Sequence, residues 1–443
     1  MLNPEVILVP DDPIKSRTII MICDISHLYF AVIFLDYCVG LSKGRLLMKL
    51  LVLGSGMMGS AAAYDMACQP QVDSVTLADS DLKRAREVAA RVNHITGGKK
   101  VRAVGVDARK ERDAARLMKG HDGALSAVPY FLNLGLAQAA ITAGCHFADL
   151  GGNNTVVRQE LALARKAEKK NVGLAPDSGL SPGMASILGG ELVRRLDGRA
   201  DALKLYVGGL PEKPMPPFHY QLVFSVEGLI NEYVEPARIL RKGKLVTIEP
   251  LTEPEPFHMD GFAPLVAFQT SGGTSTLPET FEGRVGECFE KTLRYPGHYD
   301  LLCELKELGL FSKEKMRVGD VEVSPRALMS KVFEGKFAGK GPDVSIMRIE
   351  AHESVKAPGI RGLLGGKLKG RVGSFTMVDH YDAKTDMSAM MRTTAFPASI
   401  VLQMMCSGAI GKRGAVLQER DVPADAFLEE VARRGIKIEY RME

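Results

Sequence analysis

The chain has 443 residues, a formal net charge of +4, 46% hydrophobic and 25% charged residues. That length exceeds one ordinary hydrophobic core, so two domains are expected, and the composition is that of a globular protein. With so small a net charge and no long basic run or aromatic-interleaved basic stripe, no nucleic-acid partner is expected.

Seven cysteines stand at positions 23, 38, 68, 145, 288, 303 and 406. They form no C-x-x-C pair, are odd in number and lie far apart, which indicates neither a disulfide framework nor a zinc site. The nine histidines are scattered singly with no H-x-x-x-H. No metal is therefore expected, and a reducing cytoplasm is the expected compartment.

Residues 1–47 do not read as part of the same fold. Positions 28–42 form a short apolar stretch, too short to span a bilayer comfortably and interrupted by Asp36. Lys15 and Arg17 precede it as in a signal peptide, but no A-x-A cleavage pattern follows. The expectation is an upstream reading-frame extension, with an amphipathic anchor as the alternative, and no membrane partner.

From Met48 the chain begins MKLLVLGSGMMGSAAAYDMACQPQVDSVTLAD. The apolar run Leu50 to Leu53 predicts a strand, Gly54-Ser55-Gly56-Met57-Met58-Gly59 a tight turn, the small residues from Gly59 a helix, and Val75 to Ala78 a second strand ending at Asp79. This is the pattern of a dinucleotide site. Gly54 would turn the chain sharply, Gly56 would let backbone amides approach a pyrophosphate, and Gly59 would let the helix lie close on the sheet. The helix N-terminus adds its free N–H groups and positive dipole end. Asp79 falls at the spacing that reaches the adenosine ribose hydroxyls, where a carboxylate repels a 2′-phosphate, so NAD is favoured over NADP. Lys83 and Arg84 lie just beyond and could soften that preference, although on the following helix they are more simply solvated.

Helix and strand then alternate. A helix is predicted at 81–93, a strand at Val101 to Val106, a helix at 109–119 and a strand at Gly123 to Val128. A helix at 132–143 ends at Gly144, a strand runs from Cys145 to Leu150, a charged helix covers 155–170, and Val172 to Ala175 is a sixth strand. Such alternation implies an α/β fold, a Rossmann-type doubly wound parallel sheet, over residues 48–182. Ligands sit at the carboxyl ends of those strands. Asp107, Val128, Pro129, Tyr130, Asp149 and Gly151 therefore join the glycine loop as cofactor candidates, with Asp177 and Ser178 beyond the last strand.

Pro182 suits the first turn of a helix running to about Leu196. Strand-like runs follow at Leu203 to Val207, Tyr220 to Phe224, Leu245 to Ile248, Thr292 to Tyr295, Val344 to Ala351 and Ser374 to His380. Connections rich in Gly and Pro, such as 208–217 and 358–370, separate them. Residues 183–380 thus read as a second α+β domain rich in antiparallel strands, serving substrate binding and dimerisation. The segment 387–407 is helical and apolar on more than one face, so it is expected between the domains. Residues 381–443 are expected to return to the nucleotide domain, with one more helix in 422–443.

Several stretches resemble the saccharopine dehydrogenase and lysine 6-dehydrogenase-like enzymes. They are GSGMMG at 54–59, SAVPY at 126–130, HFADLGG at 146–152, PDSGLSPGM at 176–184, VGGLPEKPMPP at 207–217, FSVEGLINEY at 224–233, TSGGTSTLP at 270–278 and KTLRYPGH at 291–298. The resemblance covers almost everything from Met48 onward and is greatest to the lysine 6-dehydrogenase branch. It implies NAD-linked oxidation of the terminal amine of lysine, release of ammonia and a product that cyclises on its own α-amine. A homodimer or higher homo-oligomer is also expected.

Independently of any family, hydride leaves an amine-bearing carbon only if the nitrogen lone pair is free, and a free Lys amine has a pKa of about 10.4. A base is needed. Asp177, past the sixth strand, is the first candidate for that role or for holding the amine; the plainer alternative is a helix cap ahead of Pro182. His219 is the other candidate base, unless it is merely a hydrogen-bonded structural histidine. Arg294 and His298 are candidates for the α-carboxylate, Arg through a bidentate pair, against a solvated strand surface. Thr274 and Ser275 lie in a Gly-rich loop that closes over substrate or is only a turn, and Tyr130 is expected beside the nicotinamide. Cys145, His146 and the Met-rich 387–405 read as core. A saccharopine-type or carboxyalkyl-polyamine substrate would need a second carboxylate-binding cation, for which Arg348 or Arg392 are available. A non-catalytic dinucleotide sensor is the third reading.

Overall fold

The computed structural model describes residues 47–337, 341–356 and 367–443. The expected extension, apart from Leu47, lies outside the described residues, as does 358–366 of the connection at 358–370.

The first sheet is built from β1 (Met48–Leu53), β2 (Val72–Asp79), β3 (Val101–Gly105), β4 (Gly123–Ser126), β5 (His146–Asp149), β6 (Gly173–Ala175) and β17 (Gly414–Ala415). All pairings are parallel, in the spatial order β17-β6-β5-β4-β1-β2-β3. Six of these strands follow the 3-2-1-4-5-6 order of a Rossmann fold, whose direction reverses between β1 and β4. Leu53 lies opposite Ala78 on one side and Ser126 on the other. Gly54 therefore leaves the sheet in the crevice where such folds take their ligands. The seventh strand, β17, went unanticipated, because two residues make no pattern.

The helices between are α1 (Met57–Cys68), α2 (Leu82–Thr96), α3 (Glu111–Met118), α4 (Asn133–Ala143), α5 (Asn154–Leu161) and α6 (Ala164–Lys169). Local chemistry sets their ends. Asp81 caps α2 by accepting from Arg84 N, Asn153 caps α5 by accepting from Thr155 N and Val156 N, and Gly97 and Gly144 close α2 and α4 with left-handed φ of 65° and 72°. The single helix expected over 155–170 is two, because Leu163 N bonds to Glu160 O and tightens the turn, driving Leu163 into the core. Pro182 does not open a helix. Backbone angles at Ser181, Pro182 and Gly183 are non-helical, with Gly183 at φ 116°, and α7 starts only at Ala185 and runs to Arg195.

The second sheet has nine strands. Its main path is β10 (Thr252–Phe257), β11 (Leu265–Gln269), β12 (Val285–Arg294), β7 (Ala200–Pro211), β15 (Asp343–Lys356), β16 (Lys367–His380) and β18 (Ile438–Met442). Two more strands, β8 (Ala237–Arg241) and β9 (Lys244–Ile248), are attached through β12. A separate hairpin joins β13 (Met316–Val318) to β14 (Val321–Val323). The sheet is mixed, since β7 and β12 are parallel while the other pairs are antiparallel. Part of the expected connection 208–217 is in fact the end of β7. Gly208 is needed there because a β-carbon would come within 2.9 Å of Leu293 Cβ.

Tyr220 to Phe224 is not a strand. Its alternating apolar residues pack on a helix end instead, with Leu222 N on Phe337 O and the Tyr220 ring edge-on to Phe337 at 5.7 Å. The helices α8 (Val226–Val234), His298–Glu307 and Pro325–Phe337 were not anticipated.

The long helix Ala389–Ser407, capped by Ser388 and Gly408, is buried along most of its length. It packs on α1, β4, β5 and also β15, so both sheets share one core cluster with it. Asp65 of α1 is held there by Gln403 and by Arg434 at 2.5 Å. The tail carries a helix, Ala424–Arg433, and then crosses to the second sheet as β18.

Candidate functional site

The glycine loop sits where β1 runs out. Gly54 has φ 96°, and a β-carbon there would strike Ala127 O at 2.6 Å; at Gly59 it would come within 1.8 Å of Gly54 O. These two glycines fold the loop on itself. Gly56 differs: apart from the Arg84 guanidinium, nothing lies within 4 Å of a β-carbon built on it. Helix α1 starts at Met57, two residues earlier than expected, and its first bond runs from Ser60 N to Gly56 O. The amides of Met57, Met58 and Gly59 thus precede the first hydrogen-bonded amide of the helix, Ser60 N, and are available to an anion. Ser55 N and Ser55 Oγ each donate to Asp79 Oδ2 at 2.7 Å, tying the loop to the end of β2. Partial burial opposes ionisation of Asp79, but the amides of Asp81 and Ser55 outweigh it and hold the carboxyl below its usual range. An open second glycine, forward amides and an ionised carboxylate fit the pyrophosphate and ribose of a pyridine dinucleotide.

The other cofactor candidates divide. Val128, Pro129 and Tyr130 follow β4 beside the loop, Val128 Cγ1 standing 3.2 Å from a β-carbon built on Gly54. The Tyr130 side chain covers Gly152. Asp107 lies past β3, the outermost strand, and is engaged at two points by Arg109, at 2.8 and 3.0 Å. Among the described residues no hydrogen bond ties it to the glycine loop. Asp149 is completely buried and works inward: its Oδ1 accepts from Gly151 N at 2.7 Å and Asp177 N at 3.4 Å. It joins the loops after β5 and β6 and has no surface to offer a cofactor.

A carboxyl cluster lies below those loops. Asp177, on a left-handed φ of 56°, sits over Gly151 so closely that a β-carbon there would come within 1.7 Å of its Oδ1. Its Oδ2 accepts from Ser275 Oγ at 2.5 Å. Burial, and then the charge of Asp149, push Asp177 up to about 7. Glu160 faces Asp149 from α5, and burial and its acidic neighbours raise it strongly; burial also raises Asp149. Apart from each other, Asp149 Oδ2 and the oxygens of Glu160 have no hydrogen-bond partner among the described residues. With no cation in contact among the described residues, the pair is stable only as a shared-proton pair. Among the described residues no cluster of His, Cys, Asp and Glu is arranged to hold a metal.

The loop at 270–276 leads from Asp177 to the second half of the site. Thr270 Oγ1 donates to Glu290 Oε2 at 3.0 Å, Gly273 lies against the Glu290 carboxyl, and Ser271 N bonds to Glu232 O. Glu232 Oε2 is 3.5 Å from Arg294 Nη2. Arg294 is buried, its guanidinium 5.1 Å from the Tyr220 ring centroid. Among the described residues, neither Arg294 Nε nor Tyr220 OH is matched with an acceptor. Buried donors without acceptors make this the candidate place for an anionic oxygen. Burial raises Glu290 to about 8 and Glu232 to about 7.

His298 lies in the same cluster with a different part. Its Nδ1 meets Phe218 O at 2.9 Å and its Nε2 meets Tyr233 OH at 3.0 Å. Burial, with Arg294 nearby, lowers it to about 3, so it is neutral and fully engaged. It supports Tyr233 and is not placed to hold a carboxylate. His219, at φ 50°, approaches the Gly297 turn beside this cluster. Gly179-Leu180-Ser181-Pro182-Gly183 has the spacing of a hydrolase elbow; Ser181 Oγ, however, donates to Gly273 O at 3.2 Å.

Sequence reasoning missed Glu160, Tyr220, Glu232 and Glu290. A signal existed for Glu160, which lies three residues after buried Val157 on the inward face of α5.

Residues 50–174 match the family described as saccharopine dehydrogenase NADP binding domain, and residues 179–436 match its C-terminal domain. The mitochondrial alpha-aminoadipic semialdehyde synthase of Mus musculus is 22% identical over 298 residues, covering 62% of this chain and 30% of that protein. The same enzyme of Rattus norvegicus is 23% identical over 289 residues, again covering 62% and 30%. The match therefore spans less than a third of the length of these relatives. Among solved structures, apo saccharopine dehydrogenase (L-Glu forming) from Saccharomyces cerevisiae shares the fold, with a TM-score of 0.70 at 16% identity over 89% of this chain and 100% of that one. With the two domain matches in tandem across most of its length, the chain belongs to the saccharopine dehydrogenase family.

Proposed function

We propose that the protein is a pyridine-nucleotide-linked dehydrogenase that oxidises the terminal CH–NH2 of an amino acid, with lysine as the substrate of first choice. One observation carries this reading. A single buried polar seam has a carboxyl near neutrality at one end, Asp177, and a buried guanidinium with a free donor at the other, Arg294, joined through Ser275, the 270–276 loop and Glu290. A diamino monocarboxylic acid matches that polarity, amine toward Asp177 and α-carboxylate toward Arg294 and Tyr220. Asp177 takes the proton that frees the nitrogen lone pair, and the bound nucleotide supplies the hydride acceptor. Water then converts the imine to aldehyde and ammonia.

The names of the relatives favour a second reading, a secondary amine such as saccharopine. One feature weighs against it. Arg392 is paired with Asp379 at 2.8 Å and faces Asp382, so it is not free to take a further carboxylate. Arg348, over the Phe257 ring and near His258 O, makes no ion pair among the described residues and is the cation this second reading would need. Asp79 supports NAD, while the family description names NADP. A cytoplasmic homo-oligomer completes the proposal, and light scattering on the eluting protein tests the second half of it. The test of function is a screen with NAD and with NADP against lysine, ornithine, saccharopine and pipecolate, followed by absorbance of the reduced nucleotide at alkaline pH. Reduction with lysine or ornithine supports the proposal; reduction with saccharopine alone selects the second reading. Binding without reduction on any amine selects a sensor.

A further inference from the structure

We propose that the outer edge of β18 docks a second copy of this chain, the two strands pairing antiparallel about a two-fold axis at Tyr440 so that the second sheets of both copies run into one. This names the surface for the homo-oligomer proposed above and does not depend on the amine chemistry.

The two rims of that sheet differ. At one end of the path, β10 carries Pro254 and Pro256, which cannot donate to a further strand, and its register with β11 breaks between Thr252 and Glu255. At the other end, β18 has no proline and keeps unbroken register with β16 from Ile438 to Met442. Among the described residues no strand covers its outer side, and Tyr440 and Met442 are 39% and 37% exposed. Such an edge is a template for another strand.

Backbone geometry and charge together select the strand that fits. Val372 and Glu443 exchange both backbone bonds at 2.9 Å. By the alternation of an antiparallel ladder, Arg441 and Glu439 are the next residues bonded to β16, so Ile438, Tyr440 and Met442 turn their N–H and C=O groups outward. Two copies pair only with outward residues opposite outward residues, which allows two-fold axes at residue 439, 440 or 441. An axis at 439 sets Glu439 against its own copy, and an axis at 441 does the same to Arg441. The axis at Tyr440 sets Glu439 against Arg441 on both sides of the centre and Ile438 against Met442, and it alone puts no like charges face to face. Opposite charges across strands stabilise the pairing and like charges oppose it. Glu439 and Arg441 are both exposed and meet each other at 3.2 Å within the strand. On the other face, Tyr440 lies 5.1 Å from the Phe375 ring and 4.1 Å from the Arg195 guanidinium, and Met442 closes over Gly373 with Leu192 of α7. Pairing extends that apolar layer across the seam. The charges turn away unrelated strands, while the strand complements its own reversed copy.

The test measures the mass of the full chain by light scattering over a range of concentrations, for the wild type, Glu439→Arg, Arg441→Glu and the combined swap E439R/R441E. Thermal melts establish that each variant is folded, and amide exchange at 438–442 is followed in the wild type. The wild type is expected to have the mass of an even number of chains, with exchange at Tyr440 and Met442 slowing as concentration rises. Either single swap sets like charges across the seam on both sides of the axis, weakens association about 10-fold or more and halves the mass. The combined swap restores the assembly, as does an equimolar mixture of the two single variants. A monomeric wild type overturns both this interface and the homo-oligomer. Assembly untouched by the single swaps, or not regained by the combined one, keeps the homo-oligomer and overturns the interface. Exchange at Tyr440 that ignores concentration overturns it even where a variant fails to fold.

Discussion

Ser275 and Asp177 lie 98 positions apart, and the serine hydroxyl donates to Asp177 Oδ2 at 2.5 Å with both residues on left-handed φ, 44° and 56°. Left-handed backbone is uncommon for residues with side chains and persists where the surroundings enforce it. Here the bond fastens a loop of the second domain to the carboxyl end of the parallel sheet, at the place where the amine is expected.

Asp177→Asn is expected to lower kcat for amine oxidation by about 10²–10⁴ without changing nucleotide affinity. In the wild type the active form is the carboxylate. With its carboxyl pushed up to about 7, activity should rise as pH climbs through that value, and the variant should lose this limb. A pH profile of kcat for both proteins checks it; an unchanged limb in the variant assigns the base elsewhere.

Arg294 is buried beside Glu232 at 3.5 Å, so deleting its side chain would leave a cavity and drive the Glu232 carboxyl toward its neutral form. Arg294→Lys keeps the charge but not the fork. It should raise KM for the amino acid about 10-fold or more, leave the dissociation constant of NADH unchanged, and shift the melting temperature little.

The glycine loop offers a contrast between neighbours. Gly59→Ala places a β-carbon 1.8 Å from Gly54 O, against backbone that has no room to move, and should destabilise the protein and abolish nucleotide binding together. Gly56→Ala meets only the Arg84 side chain. It should melt like the wild type while weakening the nucleotide, because the added methyl occupies the pyrophosphate's approach. Thermal melts with and without NADH separate the two.

These residues also mark where the sequence was legible. GSGMMG followed by a strand ending in Asp79 is a local pattern, so the strand, turn and helix around it could be read directly, as could the alternation of strand and helix that builds the parallel sheet. The substrate half was less legible, because its parts meet only in three dimensions. Glu232, Glu290 and Arg294 come from one helix and one strand, and Glu160 looked like one more charge on a charged helix. Tyr220 to Phe224 imitated a strand because its apolar residues alternate, yet the segment packs on a helix end through Tyr220 and Leu222. Pro182 imitated a helix start, and Gly183 then sends the chain elsewhere.

Glu160 gives a test through stability. Its folded pKa is raised by burial and by Asp149 and Asp177, so between the unfolded value, near 4.5, and the raised folded value the native state holds a proton that the unfolded state has lost. Stability from this group is therefore full at low pH and falls as pH rises toward the folded pKa. Glu160→Gln removes that titration while keeping a donor toward Asp149. Relative to the wild type, it should gain about 1–3 kcal/mol at pH 9 over its value at pH 5. Parallel denaturation curves at the two pH values check it, and a constant difference would remove the shared-proton pair.

The most direct test of the account uses lysine carrying deuterium on its terminal carbon, incubated with the wild-type protein and oxidised nucleotide, with the reduced nucleotide analysed by mass spectrometry. The account predicts a reduced nucleotide one mass unit heavier and a slowed hydride step, because the bond broken is the C–H beside the terminal amine. Reduced nucleotide without deuterium, or none formed while the nucleotide binds, would contradict it.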